Sequence, residues 1–182
     1  MTTRRNRILL ICAVLLPVLL LGTVRALFAP SGCETAEDAF WHVAAGRRPF
    51  GDMIARKFPL TLSVWRDHYA DKELLFHVLL KGYGGIKTLL GSPVEPPFTG
   101  ASCAFMLLFF LMFATAAHSL GIAPPKILMA SLLCALLIPN FTYRLLMLRP
   151  HVFSMALMMG AVALLARGPH RRCVWLGIFG LG

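Results

Sequence analysis

Two stretches of the chain carry acids and imidazoles spaced at one helical turn. Asp38 and His42 lie four apart in Thr35-Ala36-Glu37-Asp38-Ala39-Phe40-Trp41-His42-Val43-Ala44-Ala45-Gly46, and Glu73 and His77 repeat that interval in Asp71-Lys72-Glu73-Leu74-Leu75-Phe76-His77. Residues four apart on a helix share a face, so each acid sits beside its histidine. Carboxylates and imidazoles at this spacing can also converge on a metal ion, although the chain has neither the His-x3-His nor the paired cysteines that mark a dedicated zinc site. Plainer roles stand beside the chemical ones. Glu37 and Asp38 suit the positive end of a helix dipole, an effect of about 1 kcal/mol or less, and Asp71 suits an N-cap with Glu73 as a first-turn acid. A third feature is the pair Arg144 and Arg149, each flanked by apolar residues in Asn140–His151. Guanidinium groups at the edge of hydrocarbon either reach headgroup phosphates or hold the phosphate of a bound substrate.

The elements that must position these groups are mostly membrane helices. The chain has 182 residues, of which 58% are hydrophobic and 14% charged, with a mean hydropathy of +0.72. Soluble domains run at about 45–50% apolar and about 25% charged, and a disordered, collagenous or disulfide-rich secreted chain is excluded by the same arithmetic. A bilayer crossing takes about 20 apolar residues. Such runs cover residues 8–24 (to 28 if Arg25 snorkels), 101–120, 127–143 and 152–166, and a fifth begins at Cys173 and stops at Gly182. The expected fold is therefore all-α: a polytopic transmembrane helix bundle of four spans plus a truncated fifth, in the pattern of an N-terminal fragment. Between the first two spans, residues 30–100 form a polar loop with helices expected at about 35–46 and 71–90. The run Leu74–Leu80 is too short to cross and suits a helix lying on the membrane surface. The division is thus 1–29, 30–100 and 101–182.

Charge placement gives the orientation and dismisses nucleic acid as a partner. The net charge is +10, but all the acids lie between Glu34 and Glu95, where Arg47, Arg48, Arg56, Lys57, Arg66, Lys72, Lys81 and Lys87 balance them. The excess sits in and beside the apolar runs, and besides Arg25, Arg144 and Arg149 it lies at Arg4, Arg5 and Arg7, at Lys126, and at Arg167, Arg171 and Arg172. With four spans, the positive-inside rule puts the latter segments and the N-terminus on the cytoplasmic side, and the 30–100 loop is expected to face outward. A cleaved signal peptide ending at Ala29 fits less well, because the run is long and Arg25 interrupts it. Cys33 and Cys103 fall near the outer face, where they could pair.

Taken together, Asp38-Ala39-Phe40-Trp41-His42 with Gly46, the Asp71–His77 stretch, and Arg144 with Arg149-Pro150-His151 resemble a largely uncharacterised group of bacterial polytopic membrane proteins. Those proteins carry an Asp-x-aromatic-Trp-His-x3-Gly stretch after the first span and an Arg-Pro-His stretch further on. Their layout is similar to that of the GT-C glycosyltransferases, which move a sugar from a polyprenyl-phosphate carrier to an acceptor on the outer face of the inner membrane. The resemblance implies Asp38 as general base, with Glu37 as alternative base or ligand of a divalent cation. It implies that His42 orients Asp38 or holds the acceptor, that Arg144, Arg149 and His151 bind substrate, and that Trp41 stacks on a sugar or anchors the helix in the interface. Members of the group often carry a second acid where this chain has Ala36, with Glu34 and Glu37 nearby. The competing expectation is a non-catalytic transporter or assembly subunit that binds lipid or a partner protein. A transporter should interrupt its spans with polar groups near mid-membrane, and the 101–120 run has no ionisable group deep within it.

Overall fold

A computed structural model of the chain describes residues 2–28, 37–54, 71, 73–91 and 99–168. Among these the fold is all-helical, without strands: α1 (Thr2–Phe28), α2 (Glu37–Arg47), α3 (Phe50–Ile54), α4 (Leu74–Leu89), α5 (Thr99–Ser119), α6 (Pro124–Leu136), α7 (Pro139–Leu146) and α8 (Pro150–Ala166). The chain divides into two compact units, one comprising residues 1–35 and 96–182 and the other residues 36–95.

The first unit is the apolar one. Within α1, residues Arg4–Leu27 are long and apolar enough to cross a membrane, and so is α5. At a rise of 1.5 Å per residue the 21 residues of α5 reach about 32 Å, against a hydrocarbon core of about 30 Å. Large side chains such as Leu19, Leu27, Leu111 and Met129 point outward, as lipid-facing surfaces require. Inside, Met106, Phe109 and Phe110 of α5 pack with Ala13, Val14 and Leu21 of α1, Ile127 and Ala135 of α6, and Val152 and Ala156 of α8. Lipid tails are as apolar as leucine, so helix association in a bilayer depends on close packing at small residues rather than on escape from water. Ala13, Ala114, Ala135 and Ala156 supply those sites. At Gly22 the approach is closest, since a Cβ there would lie 3.0 Å from Cys103 Sγ.

Prolines and one glycine set the boundaries. Gly121 (φ +80°) ends α5 in a Schellman turn, with Ile122 N–H donating to Ala117 O and Gly121 N–H to His118 O, each at 3.0 Å. Pro124, Pro139 and Pro150 then open α6, α7 and α8, where a missing N–H costs nothing. The residues before the last two, Ile138 and Arg149, are extended, as a following proline demands.

This punctuation corrects the expected spans. The stretch 127–143 is not one straight crossing, because α6 and α7 meet at a bend of 84°. The Thr142 hydroxyl stitches the bend by donating to Ala135 O (2.7 Å) and Ile138 O (3.1 Å). Likewise Asn140–His151 is not a simple turn: α7 runs to Leu146, and only three residues separate it from α8. At 17 residues, α8 is about 25 Å long and falls at the short limit for a span. Among the described residues two helices are long enough to cross, or three if the bent pair counts as one; the expected fifth, 173–182, lies outside the described residues. Arg25 does not snorkel either. It is 5% exposed, and its guanidinium donates to Leu146 O at the end of α7.

The second unit is built on α2 and α4, with α3 beside them. Gly46 lets the two backbones approach: a Cβ there would lie 3.1 Å from His77 O and 3.2 Å from Leu80 Cβ. Phe76, Leu80, Val43 and Met53 are buried in this unit. Lys81 Nζ donates to Arg48 O at 2.7 Å, closing the C-terminal end of α2, whose last turn extends past Gly46 to Arg47.

Candidate functional site

The polar residues of α2 and α4 meet in the interior of the second unit. His42 is placed by α2, one turn after Asp38, on the flank of the helix that carries Val43 and Gly46 toward α4. It is 5% exposed, and His77 on α4 is fully buried. Phe76 stands edge-on to the His42 ring, with centroids 5.2 Å apart, and limits its rotation.

Hydrogen bonds arrange the rest. Asp71 precedes α4 and accepts twice: from the Glu73 backbone N–H at 2.9 Å and from His77 Nδ1–H at 2.6 Å. The second bond is short, as expected of a charge-assisted contact, and the Asp71 carboxylate is only 7% exposed. In a neutral His77 ring with its proton on Nδ1, Nε2 is an acceptor. That Nε2 lies 2.9 Å from His42 Nδ1, and Glu73 Oε2 lies 3.4 Å from the same His42 nitrogen. Ligand atoms of His42, Glu73 and His77 all fall within 4.8 Å of one another. Beside them the groove between α2 and α4, about 590 Å³, is lined by Val43, Gly46, Arg47, Leu80, Lys81 and Gly84 among others.

Among the residues singled out from the sequence, His42 is central to this arrangement. Trp41 is half-buried on α2. Glu37 and Asp38 occupy the first turn of α2, and their side chains lie outside the described ones, as does the expected Thr35 cap. Arg144, Arg149 and His151 belong to the other unit. Arg144 is exposed in the last turn of α7, and Arg149 and His151 are half-buried where α8 begins.

Asp71, Glu73 and His77 were legible as residues but not as a site. The N-cap position of α4 is Glu73 rather than Asp71, and it makes no side-chain cap bond; its carboxylate turns to His42 instead. A sequence signal existed. Both stretches carry an acid and a histidine four residues apart, and Gly46, one turn beyond His42, marks a close helix crossing. No family model, curated protein or solved structure matches this chain.

Proposed function

We propose that this chain is an integral membrane protein whose second unit, on the outer side of a bacterial inner membrane, carries out group transfer. The reaction that fits the resemblance is GT-C-like: a sugar passes from a polyprenyl-phosphate carrier to an acceptor hydroxyl. Asp38 removes the hydroxyl proton as the oxygen attacks the anomeric carbon, and Glu37 is the alternative base. His42, one turn away, positions Asp38 or the acceptor. The departing lipid phosphate is the charge that Arg144 and Arg149 would answer, with His151 nearby in sequence.

The observation that carries this reading is the buried chain Asp71–His77–His42, closed by Glu73. Asp71, His77 and His42 are almost wholly withdrawn from water, which is costly for ionisable groups, and sites of chemistry are where proteins sustain such costs. The chain holds the imidazole of His42 in one orientation, as a positioning residue requires. Transfer of radiolabelled sugar from the polyprenyl-phosphate donor by the full chain in membranes is the test. Asp38→Asn should lower turnover about 100-fold or more while insertion and expression persist, and unchanged turnover would remove the assigned base.

A second reading, a non-catalytic transporter or assembly subunit, draws on the 84° break between α6 and α7. Discontinuous helices are a transporter device. It is favoured if no sugar transfer is detected and the Asp38→Asn chain behaves as the parent in every assay.

A further inference from the structure

The α2–α4 centre brings two imidazoles and a carboxylate together, with their ligand atoms within 4.8 Å of one another. A neutral His77 that donates from Nδ1 to Asp71 presents a lone pair at Nε2, and the Glu73 carboxylate presents others. Both face His42 Nδ1, at 2.9 and 3.4 Å. A neutral His42 with its proton on Nδ1 can satisfy one of these acceptors well, not both. With the proton on Nε2, three ligand atoms that lie within 4.8 Å of one another present lone pairs.

We propose that His42 Nδ1, His77 Nε2 and the Glu73 carboxylate hold a divalent transition-metal ion of the zinc class. Two imidazole nitrogens and one carboxylate oxygen form a donor set suited to zinc, cobalt or iron(II) rather than to magnesium or calcium. Bonds of about 2.0–2.1 Å in a tetrahedron put ligand atoms about 3.3–3.4 Å apart. The His42–Glu73 edge already has that length, and the His42–His77 edge must open by about half an ångström. Asp71 supplies what metal-bound histidines characteristically have, a carboxylate on the opposite ring nitrogen that fixes tautomer and orientation. Glu73 is the most accessible of the three ligands, with 24% of its side chain exposed, and gives the ion its way in.

The physical need is visible in the size of the unit. Residues 36–95 are about the length at which a single apolar core becomes marginal, and small units often add a metal staple. An ion bridging α2 to α4 would fasten the two helices at the point where Gly46 brings them together. The inference stands without the sugar-transfer reading, although it uses the same residues: with an ion bound, metal bonds replace the His42–His77 hydrogen bond in holding the His42 ring.

The test is zinc and cobalt binding by the full chain in detergent, stripped with a chelator and with its cysteines alkylated. One ion per chain is expected, with the visible spectrum of tetrahedral cobalt and a raised unfolding temperature. His77→Ala should abolish the spectrum. Asp71→Asn should weaken affinity about 10- to 100-fold while leaving the stoichiometry. Glu73→Gln, at the half-buried position, covers the case in which His77→Ala fails to fold, and should also weaken binding. His118→Ala, in the other unit, should bind as the parent does. Absence of stoichiometric binding in the parent, or cobalt spectra unchanged in both His77→Ala and Glu73→Gln, overturns the site. A chain that binds the ion but transfers no sugar refutes only the proposed reaction.

Discussion

Gly46→Val is the substitution whose effect follows most directly from the geometry. A Cβ at Gly46 would meet His77 O at 3.1 Å, Leu80 Cβ at 3.2 Å and Lys81 N at 3.4 Å. Carbon contacts are comfortable at about 3.5–4.0 Å, and two of these neighbours are backbone atoms of α4, which cannot rotate away. Alanine therefore requires a shift of a few tenths of an ångström. Valine adds two methyl groups, so the helices must part further. A separation of about 0.5 Å would stretch the 2.9 Å contact between His42 and His77 to about 3.4 Å, beyond a good hydrogen bond. Overpacking of this kind costs about 1–3 kcal/mol, or about 5- to 150-fold in the opening equilibrium of the pair. Hydrogen exchange of the amides at 74–80, measured on the full chain, reads that equilibrium. Gly85→Ala is the control, because nothing lies within 4 Å of its Cβ position and helix propensity alone should stabilise α4 by up to about 1 kcal/mol. Unchanged protection in Gly46→Val, or an equal loss in Gly85→Ala, would refute the account of how α2 and α4 meet.

Two further outcomes are expected. Between the long apolar helices, Gly22→Ala should weaken the α1–α5 contact because its Cβ falls 3.0 Å from Cys103 Sγ; Cys103→Ala should rescue it, read as detergent unfolding of the single and double variants, and a double variant no better than Gly22→Ala would count against the contact. For topology, a cysteine introduced at Ser63 should react with an impermeant thiol reagent from the outer side only, and labelling confined to the cytosolic side would invert the assigned orientation.

Helix existence was legible where composition left no alternative. Runs such as Ile8–Val24 and 101–120 can satisfy their backbone groups in hydrocarbon only as helices, so α1 and α5 follow from apolar length. The prolines at 124, 139 and 150 were equally plain signals for helix starts. What they implied together was not read: Pro139 falls inside an apolar run long enough to cross, and it turns that run into two helices. Hydropathy sums over a window and cannot register a bend. The partner of Arg25 was open for a related reason, since whether a guanidinium reaches water or a carbonyl depends on which helix end is nearby.

The candidate site shows the same division. Residue types and turn spacing determined by themselves that each acid shares a helix face with its histidine, because that is fixed by 3.6 residues per turn. They could not determine that those faces look at each other. That depends on Gly46, whose missing side chain lets α4 come within contact of α2, and on Asp71, which spends one His77 proton and so aims the other nitrogen at His42. Spacing along one helix is a local property of the chain; the convergence of His42, Glu73 and His77 across thirty-five residues is a property of packing, and only the folded chain could decide it.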